Sequence, residues 1–249
     1  MSGHSKWSTI KRQKGANDAK RGAIFTKIAR EIAIAARAGG GDPEANYRLR
    51  LAIDKARSVN MPADNIKRAI ERATGAGKDV EYEEIVYEGY GPGGVAVLVE
   101  TATDNRNRTA ADVRSLFTKA GGQLAGAGAV AWQFEPLGII AVPRAGQDPD
   151  EVALVAIDAG ATDVDTTTDP VEISTSPGDL ESVRKGLEAA GVKVESAELT
   201  MRPKTTVAIE AAHARQNLRL IDLLEDHDDV QRVTANFDIP DDVLAEVSA

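Results

Sequence analysis

The sequence predicts an α+β, multi-domain protein: an N-terminal three-helix domain, then two ferredoxin-like α/β domains, one inserted in the other. Three observations predict it. Apolar residues recur with the helical period of about 3.6 up to residue 73, and with a strand-like period of 2 from residue 85 onward. Residues 137–202 contain a complete β-α-β-β-α-β order, and the segments flanking them supply the pieces of a second. Charge divides where the period changes: residues 1–78 hold 17 of the 30 Lys and Arg but 7 of the 39 Asp and Glu, in a chain of net charge −9. The expected domains are therefore residues 1–78, basic; 79–135 with 205–249, a split α/β domain; and 136–204, an acidic insert.

The N-terminal elements follow in order. A polar, basic arm (residues 1–16) precedes a first helix in which Ile24, Phe25, Ile28, Ile32, Ala35 and Ala36 share one face, while Lys20, Lys27, Arg30 and Arg37 form a separate cationic stripe. Gly39, Gly40 and Gly41 end it. Asp42 and Pro43 are suited to cap and open a second helix reaching residue 60 with Leu49, Ile53 and Ala56 inward. Pro62 opens a third, with Ile66, Ala69, Ile70 and Ala73 inward and Lys67, Arg68 and Arg72 outward. Helices this short need mutual packing.

Beyond residue 81 the pattern predicts strands at 85–88 and 95–103 around a glycine-rich turn, a helix at 106–120 and a strand at 129–134. The insert has expected strands at 138–142, 163–168, 171–176 and 192–201 and helices at 149–159 and 177–190. A strand (205–210), a helix (215–226) and a strand (230–238) complete the split domain.

Composition excludes several functions. With no Cys, disulfides, zinc ribbons and thiol catalysis are absent. His4, His213 and His227 are scattered, no run approaches the ~20 apolar residues of a membrane span, and the N-terminus has no apolar signal core, so a cytosolic protein is expected. Gly89, Gly91 and Gly94 match G-x-G-x-x-G but lead into the strand-like Val95–Val99 rather than a helix, so a tight hairpin is the better reading than a dinucleotide site. The run Asp226, His227, Asp228, Asp229 follows a helical pattern and reads as a solvated acidic helix end rather than a metal site. Nucleophile elbows, H-E-x-x-H and spaced carboxylate pairs are missing; the expectation is a non-enzyme without metal or cofactor.

Residues 104–109 leave a strand and open a helix. They read either as caps with Arg106 and Arg108 on the surface, or as an anion or RNA contact. The stronger binding signal is the arm and first helix. There His4, Lys6, Trp7, Lys11, Arg12, Lys14, Lys20, Arg21, Lys27 and Arg30 combine cations for phosphates with two rings for stacking. A one-sided excess of this kind points to nucleic acid as partner. The insert has no aromatic residue between 137 and 202 and is net acidic, so its sheet is a poor base-stacking surface and a better protein contact.

Several long motifs resemble the YebC family: residues 3–7 (Gly-His-Ser-Lys-Trp), 19–32, 61–70 (from Met61-Pro62-Ala63-Asp64), 87–94 (Tyr-Glu-Gly-Tyr-Gly-Pro-Gly-Gly), 103–108 and 128–132. The resemblance implies three domains, one inserted in another, and a non-enzymatic role in gene expression. Bacterial members of that family are called probable transcriptional regulators that bind DNA. Others, including the mitochondrial translational activator of cytochrome c oxidase subunit I, act on the ribosome and relieve stalling at proline-rich sequences.

The leading expectation is a cytoplasmic translation factor contacting ribosomal RNA, and tRNA, on the ribosome. The alternative is a DNA-binding transcriptional regulator; a small-ligand protein using Arg106 and Arg108 ranks third. None of the helices carries an obvious base-reading cluster of Arg, Asn and Gln at its start. If the stripe is a contact surface only, reversing Lys20, Lys27 and Arg30 to Glu removes nucleic-acid association and leaves stability nearly unchanged.

Overall fold

The computed structural model describes residues 18–75 and 81–239, and side chains from Gly22 onward. The N-terminal helices are α1 (Asp18–Gly39), α2 (Tyr47–Ser58) and α3 (Ala63–Thr74). Next come β1 (Glu83–Gly91), β2 (Val95–Thr103), α4 (Arg106–Lys119), β3 (Gln123–Leu124) and β4 (Phe134–Val142). They are followed by α5 (Pro149–Asp158), β5 (Asp163–Asp165), β6 (Val171–Thr175), α6 (Leu180–Ala189) and β7 (Ser196–Pro203). The last elements among the described residues are β8 (Val207–Ala208), α7 (Ala211–Glu225), β9 (Val230–Ala235) and β10 (Phe237–Asp238). The described residues group into two compact units: residues 18–34, 75, 81–135 and 203–239, and residues 35–74 and 136–202.

In α1, Ile28, Ile32, Ala35 and Ala36 are buried, and the helix stops where Gly40 turns to φ +88° and its amide reaches the Ala36 carbonyl at 2.8 Å. The second helix begins later than Asp42-Pro43 predicts. The Asp42 carboxylate instead accepts from the Glu44 amide at 2.9 Å, making a turn. Asn46 is the cap: its Oδ1 accepts from the Leu49 amide, and its Nδ2 donates to the carbonyls of Ala35 and Gly40 at 2.8 Å each. One buried amide thereby closes both the end of α1 and the start of α2.

In the first unit the sheet order is β3-β1-β2-β9. β1 and β2 form an antiparallel hairpin from Glu83↔Thr103 to Gly91↔Val95, and β9 lies antiparallel on the other side of β2. Eight of the nine β2 residues are buried, as expected of a central strand covered on both faces. Val97, Val99, Val113, Phe117, Leu220, Ile221, Leu224, Val233 and Phe237 join β2, α4, α7 and the C-terminal strands in one core. Gly89 is required by that packing, since a Cβ there would lie 2.5 Å from the Phe117 ring.

Three strand expectations change here. Residues 131–133 form a 3-10 turn, and extended structure starts only at Phe134. Gly128 has φ +84°, and the amides of Gly128, Val130 and Ala131 are taken by the Glu88 carboxylate, so no ladder donors remain for a strand there. The expected strand at 205–210 shrinks to β8, parallel to β10. The expected strand at 230–238 breaks at buried Asn236, whose Oδ1 accepts from the Ala96 amide.

In the second unit the order β5-β6-β4-β7 is the ferredoxin-like arrangement of a β-α-β-β-α-β chain, with β4 antiparallel to β6 and β6 to β5. Ile140, Val142, Val152, Ala156, Val171, Ile173, Leu180, Val183 and Leu187 form its core, which Leu51 of α2 joins. Strand β5 ends early because Asp165 turns back to cap Thr167. Helices α2 and α6 exchange charges: Arg50 of α2 lies 3.3 Å from Glu181 of α6, and Arg184 of α6 reaches Asp54 of α2 at 3.7 Å as well as Glu181 at 2.9 Å. Tyr47 sits in this cluster, its hydroxyl pushed up to about 12 by burial and by Glu181. Part of the N-terminal positive charge is therefore neutralised by the insert.

Candidate nucleic-acid interface

His4, Lys6, Trp7, Lys11, Arg12 and Lys14 lie outside the described residues; Lys20 and Arg21 lie on α1, and their side chains are not described. Lys27 and Arg30 are described, and both turn inward on the first unit. The Lys27 ammonium donates to the Glu225 carbonyl at the C-terminal end of α7, where unpaired carbonyls favour a cation. The Arg30 guanidinium, 15% exposed, donates to the Asp228 carbonyl and pairs with Asp229 at 2.9 Å. It also lies 5.5 Å from the Tyr82 ring centroid.

Asp229 organises this end of the unit. It is 2% exposed and accepts on Oδ2 from Arg108 at 2.7 Å, Thr109 at 2.7 Å and Thr103 at 3.2 Å, while Oδ1 takes Arg30. Its own amide donates to His227 Nδ1 at 3.1 Å, and its carbonyl accepts from Ala102 at 2.8 Å. Burial pushes its pKa up, but the bonds from Arg108 and Thr109 and the charges of Arg30 and Arg108 outweigh this and hold it below the ordinary carboxylate value. The solvated-end reading of residues 226–229 is thus corrected for Asp229: the chain leaves α7 at Glu225 and enters β9 at Val230, and that entry carries the Asp229 side chain into the core.

The 104–109 segment resolves into caps plus ion pairs. Asn105 Oδ1 accepts from the Arg108 amide at 3.1 Å, capping α4. Arg106 is exposed and 3.6 Å from Glu83, whereas Arg108 bridges Asp104 and Asp229 at 2.9 and 2.7 Å. Arg30 and Arg108 therefore meet on one carboxylate, a pairing that helical and strand spacing alone does not reveal.

This geometry changes the charge-reversal expectation. Glu at position 30 would face Asp229, and like charges in a buried site destabilise the fold. Reversal of Lys20, Lys27 and Arg30 together therefore lowers stability, and a clean test of binding must spare Arg30. On the second unit, Lys67, Arg68 and Arg72 are exposed on α3, as their spacing predicts.

A second buried carboxylate is not marked by the sequence pattern. Glu88, 6% exposed, accepts from the amides of Gly128 at 2.6 Å, Val130 at 2.7 Å and Ala131 at 2.8 Å. Burial raises its pKa, and these three amides more than offset that, leaving it below the usual range. The Glu-Gly-Tyr-Gly motif of residues 88–91 is the one local signal of this anchor, and it acquires that meaning only once the loop is seen against it.

No helix among the described residues is long and apolar enough to cross a membrane. Two family models match: one described as TACO1/YebC second and third domain, over residues 82–237, and one described as TACO1/YebC protein N-terminal domain, over residues 5–76. The chain is 57% identical over 249 residues to a probable transcriptional regulatory protein of Rubrobacter xylanophilus, covering 100% of both chains. It is 56% identical over 243 residues to one of Pelotomaculum thermopropionicum, covering 97% of this chain and 100% of that one. A crystal structure of a conserved hypothetical protein from Aquifex aeolicus superimposes with a TM-score of 0.84 at 46% identity, covering 90% of this chain and 92% of that one.

Proposed function

Given that the chain belongs to the TACO1/YebC family, we propose that it is a non-enzymatic, nucleic-acid-binding regulator of gene expression. Its leading role is as a translation factor that contacts ribosomal RNA and tRNA on the ribosome, in the cytoplasm, and relieves stalling at proline-rich sequences. The observation that carries the binding is the surplus of ten positive charges in residues 1–78 of a chain whose net charge is −9. Such a surplus gains free energy by releasing counterions from a phosphate backbone, whatever the base sequence. His4, Lys6, Trp7, Lys11, Arg12, Lys14, Lys20 and Arg21 are the proposed contacts, with Lys67, Arg68 and Arg72 of α3 as further exposed cations. Arg30 and Arg108 serve chiefly the Asp229 cluster in this reading.

A second reading, a DNA-binding transcriptional regulator, is favoured by the names that the relatives carry. Ultraviolet crosslinking in living cells, followed by sequencing of the attached nucleic acid, separates the two. Crosslinks concentrated at one ribosomal RNA locus support the translation role; crosslinks at discrete chromosomal sites with ribosomal RNA at background replace it with the DNA role. In the same assay, reversal of Lys6, Lys11 and Lys14 to Glu removes the crosslinks while the chain stays folded. Undiminished crosslinking by that variant would overturn the arm as the contact.

A further inference from the structure

We infer that Trp132 is a stacking platform for an unpaired base of single-stranded nucleic acid, with the Lys204 ammonium beside it for the neighbouring phosphate. The inference rests on the nucleic-acid reading above and adds a contact outside the basic N-terminal third.

Four observations carry it. First, Trp132 is 68% exposed, an unusual position for the largest apolar side chain unless something covers it. Second, it is held rigidly. The loop that bears it is fixed by three amide bonds to buried Glu88, and the indole Nε1 and the Tyr90 hydroxyl both donate to the Ala129 carbonyl at 3.1 Å. Because the one polar group of the indole is already satisfied within the protein, the ring offers a partner its faces and not a hydrogen bond. That suits stacking, which every base accepts, better than the directional contacts of a protein hot spot.

Third, the loop that bears the ring carries no acidic side chain before half-buried Glu135. Residues 121–134 contain no Asp or Glu, although residues 79–249 carry most of the acidic surplus of the chain. Glu88 beneath is buried and its charge is compensated by amides. Fourth, the adjacent charge is positive: exposed Lys204 donates from Nζ to the Trp132 carbonyl at 2.9 Å, and its amide donates to the Gln133 carbonyl at 2.8 Å. A ring with a cation one residue's reach away is the unit that single-strand binders repeat along a groove.

The chain has two Trp, so Trp7→Phe leaves Trp132 as the sole indole. That variant is titrated with a twelve-nucleotide U-tract RNA, the matching T-tract DNA and a duplex containing the same tract. We expect both single strands to quench Trp132 emission and the duplex to leave it unchanged, with the tighter-binding strand identifying RNA or DNA as the source. Trp132→Ala weakens single-strand affinity about tenfold and Lys204→Gln a few-fold, while Trp132→Phe, which keeps an aromatic face, recovers most of the loss. An exposed ring contributes little to folding, so the thermal midpoints stay together. If Trp132→Ala binds single strands as tightly as the parent and emission does not change, stacking is wrong, the nucleic-acid reading stands, and Trp132 is left as a protein contact. If the full chain binds none of the three probes, both readings fall.

Discussion

Glu88 and Asp229 are buried carboxylates in the same unit, and they are neutralised in opposite ways. Glu88 is surrounded by neutral amides of one nearby loop, residues 128–131. Asp229 is met by charged side chains from two helices far apart in sequence, Arg30 of α1 and Arg108 of α4. The first arrangement fixes the shape of a loop and leaves its surface uncharged. The second ties the N-terminal helix to the sheet and occupies, in doing so, cations that the sequence alone assigns to a ligand. A buried acid can thus act as a local template or as a long-range clamp, and the donor type decides which.

The largest effect should come from breaking the clamp. Asp229→Ala leaves Arg30 largely buried without its counter-charge and is expected to cost about 3–5 kcal/mol, read from urea unfolding of the full chain. Removing Arg30 as well, as Arg30→Met with Asp229→Ala, should recover part of that cost because the uncompensated cation is gone. A single-variant cost below about 1 kcal/mol would mean that the pair is solvated and the clamp picture is wrong.

Glu88→Ala comes next, at about 2–3 kcal/mol, because three amides lose their acceptor but the loop can open to water. Its signature is local: faster hydrogen exchange at the amides of Gly128, Val130 and Ala131. The two carboxylates also separate by salt. Raising NaCl toward 1 M should weaken the Arg108 side of the clamp, which is exposed, and leave the Glu88 bonds nearly unaffected.

Acid tests both sites together. Each carboxylate has its folded pKa below the ordinary value, so its contribution is complete above the unfolded pKa, near 4, and is lost as pH falls through the lower folded value. Stability should decline below about pH 4, and Glu88→Gln or Asp229→Asn should each flatten that decline. Tyr47 works in the other direction. Its pKa, raised from 10.0 to about 12, favours the protonated phenol in the fold, so stability present below pH 10 is lost as pH rises toward 12. Tyr47→Phe should flatten that alkaline limb.

How much of this is legible in the sequence follows from what periodicity can carry. The core stripes of α1 and α3 and the ferredoxin-like order of the insert are readable, because apolar spacing directly encodes which face is buried. The fate of the polar residues is not. Spacing places Arg30 on a cationic stripe but says nothing about Asp229, 199 positions later, which sits against it. Asp229 belongs to a run of acids, and such runs usually face water. Its burial is decided by the four-residue connection, 226–229, from the end of α7 into β9. The alternating Ala and Val of residues 129–131 look like a strand, and only the Glu88 carboxylate, 40 or more positions earlier in the chain, takes their amides out of any ladder. Residue types show what a side chain can do, and the tertiary partner determines whether it is still available to a ligand.

The smallest predicted stability effect lies at the exposed cations of α3. Lys67 on α3 is 75% exposed and lies 3.7 Å from Glu71, itself 61% exposed, a helix-surface pair worth about 0.3 kcal/mol. Replacing Lys67, Arg68 and Arg72 together by Gln should shift the thermal midpoint hardly at all, the reverse of the outcome at Asp229. Where these cations meet phosphates, the same variant should lower the slope of log affinity against log salt by about 0.7 for each single-strand phosphate that is no longer neutralised. An unchanged slope would remove α3 from the interface and confine phosphate binding to the arm and the start of α1. A large fall in stability would instead show that these three cations, like Arg30, are already committed to the fold.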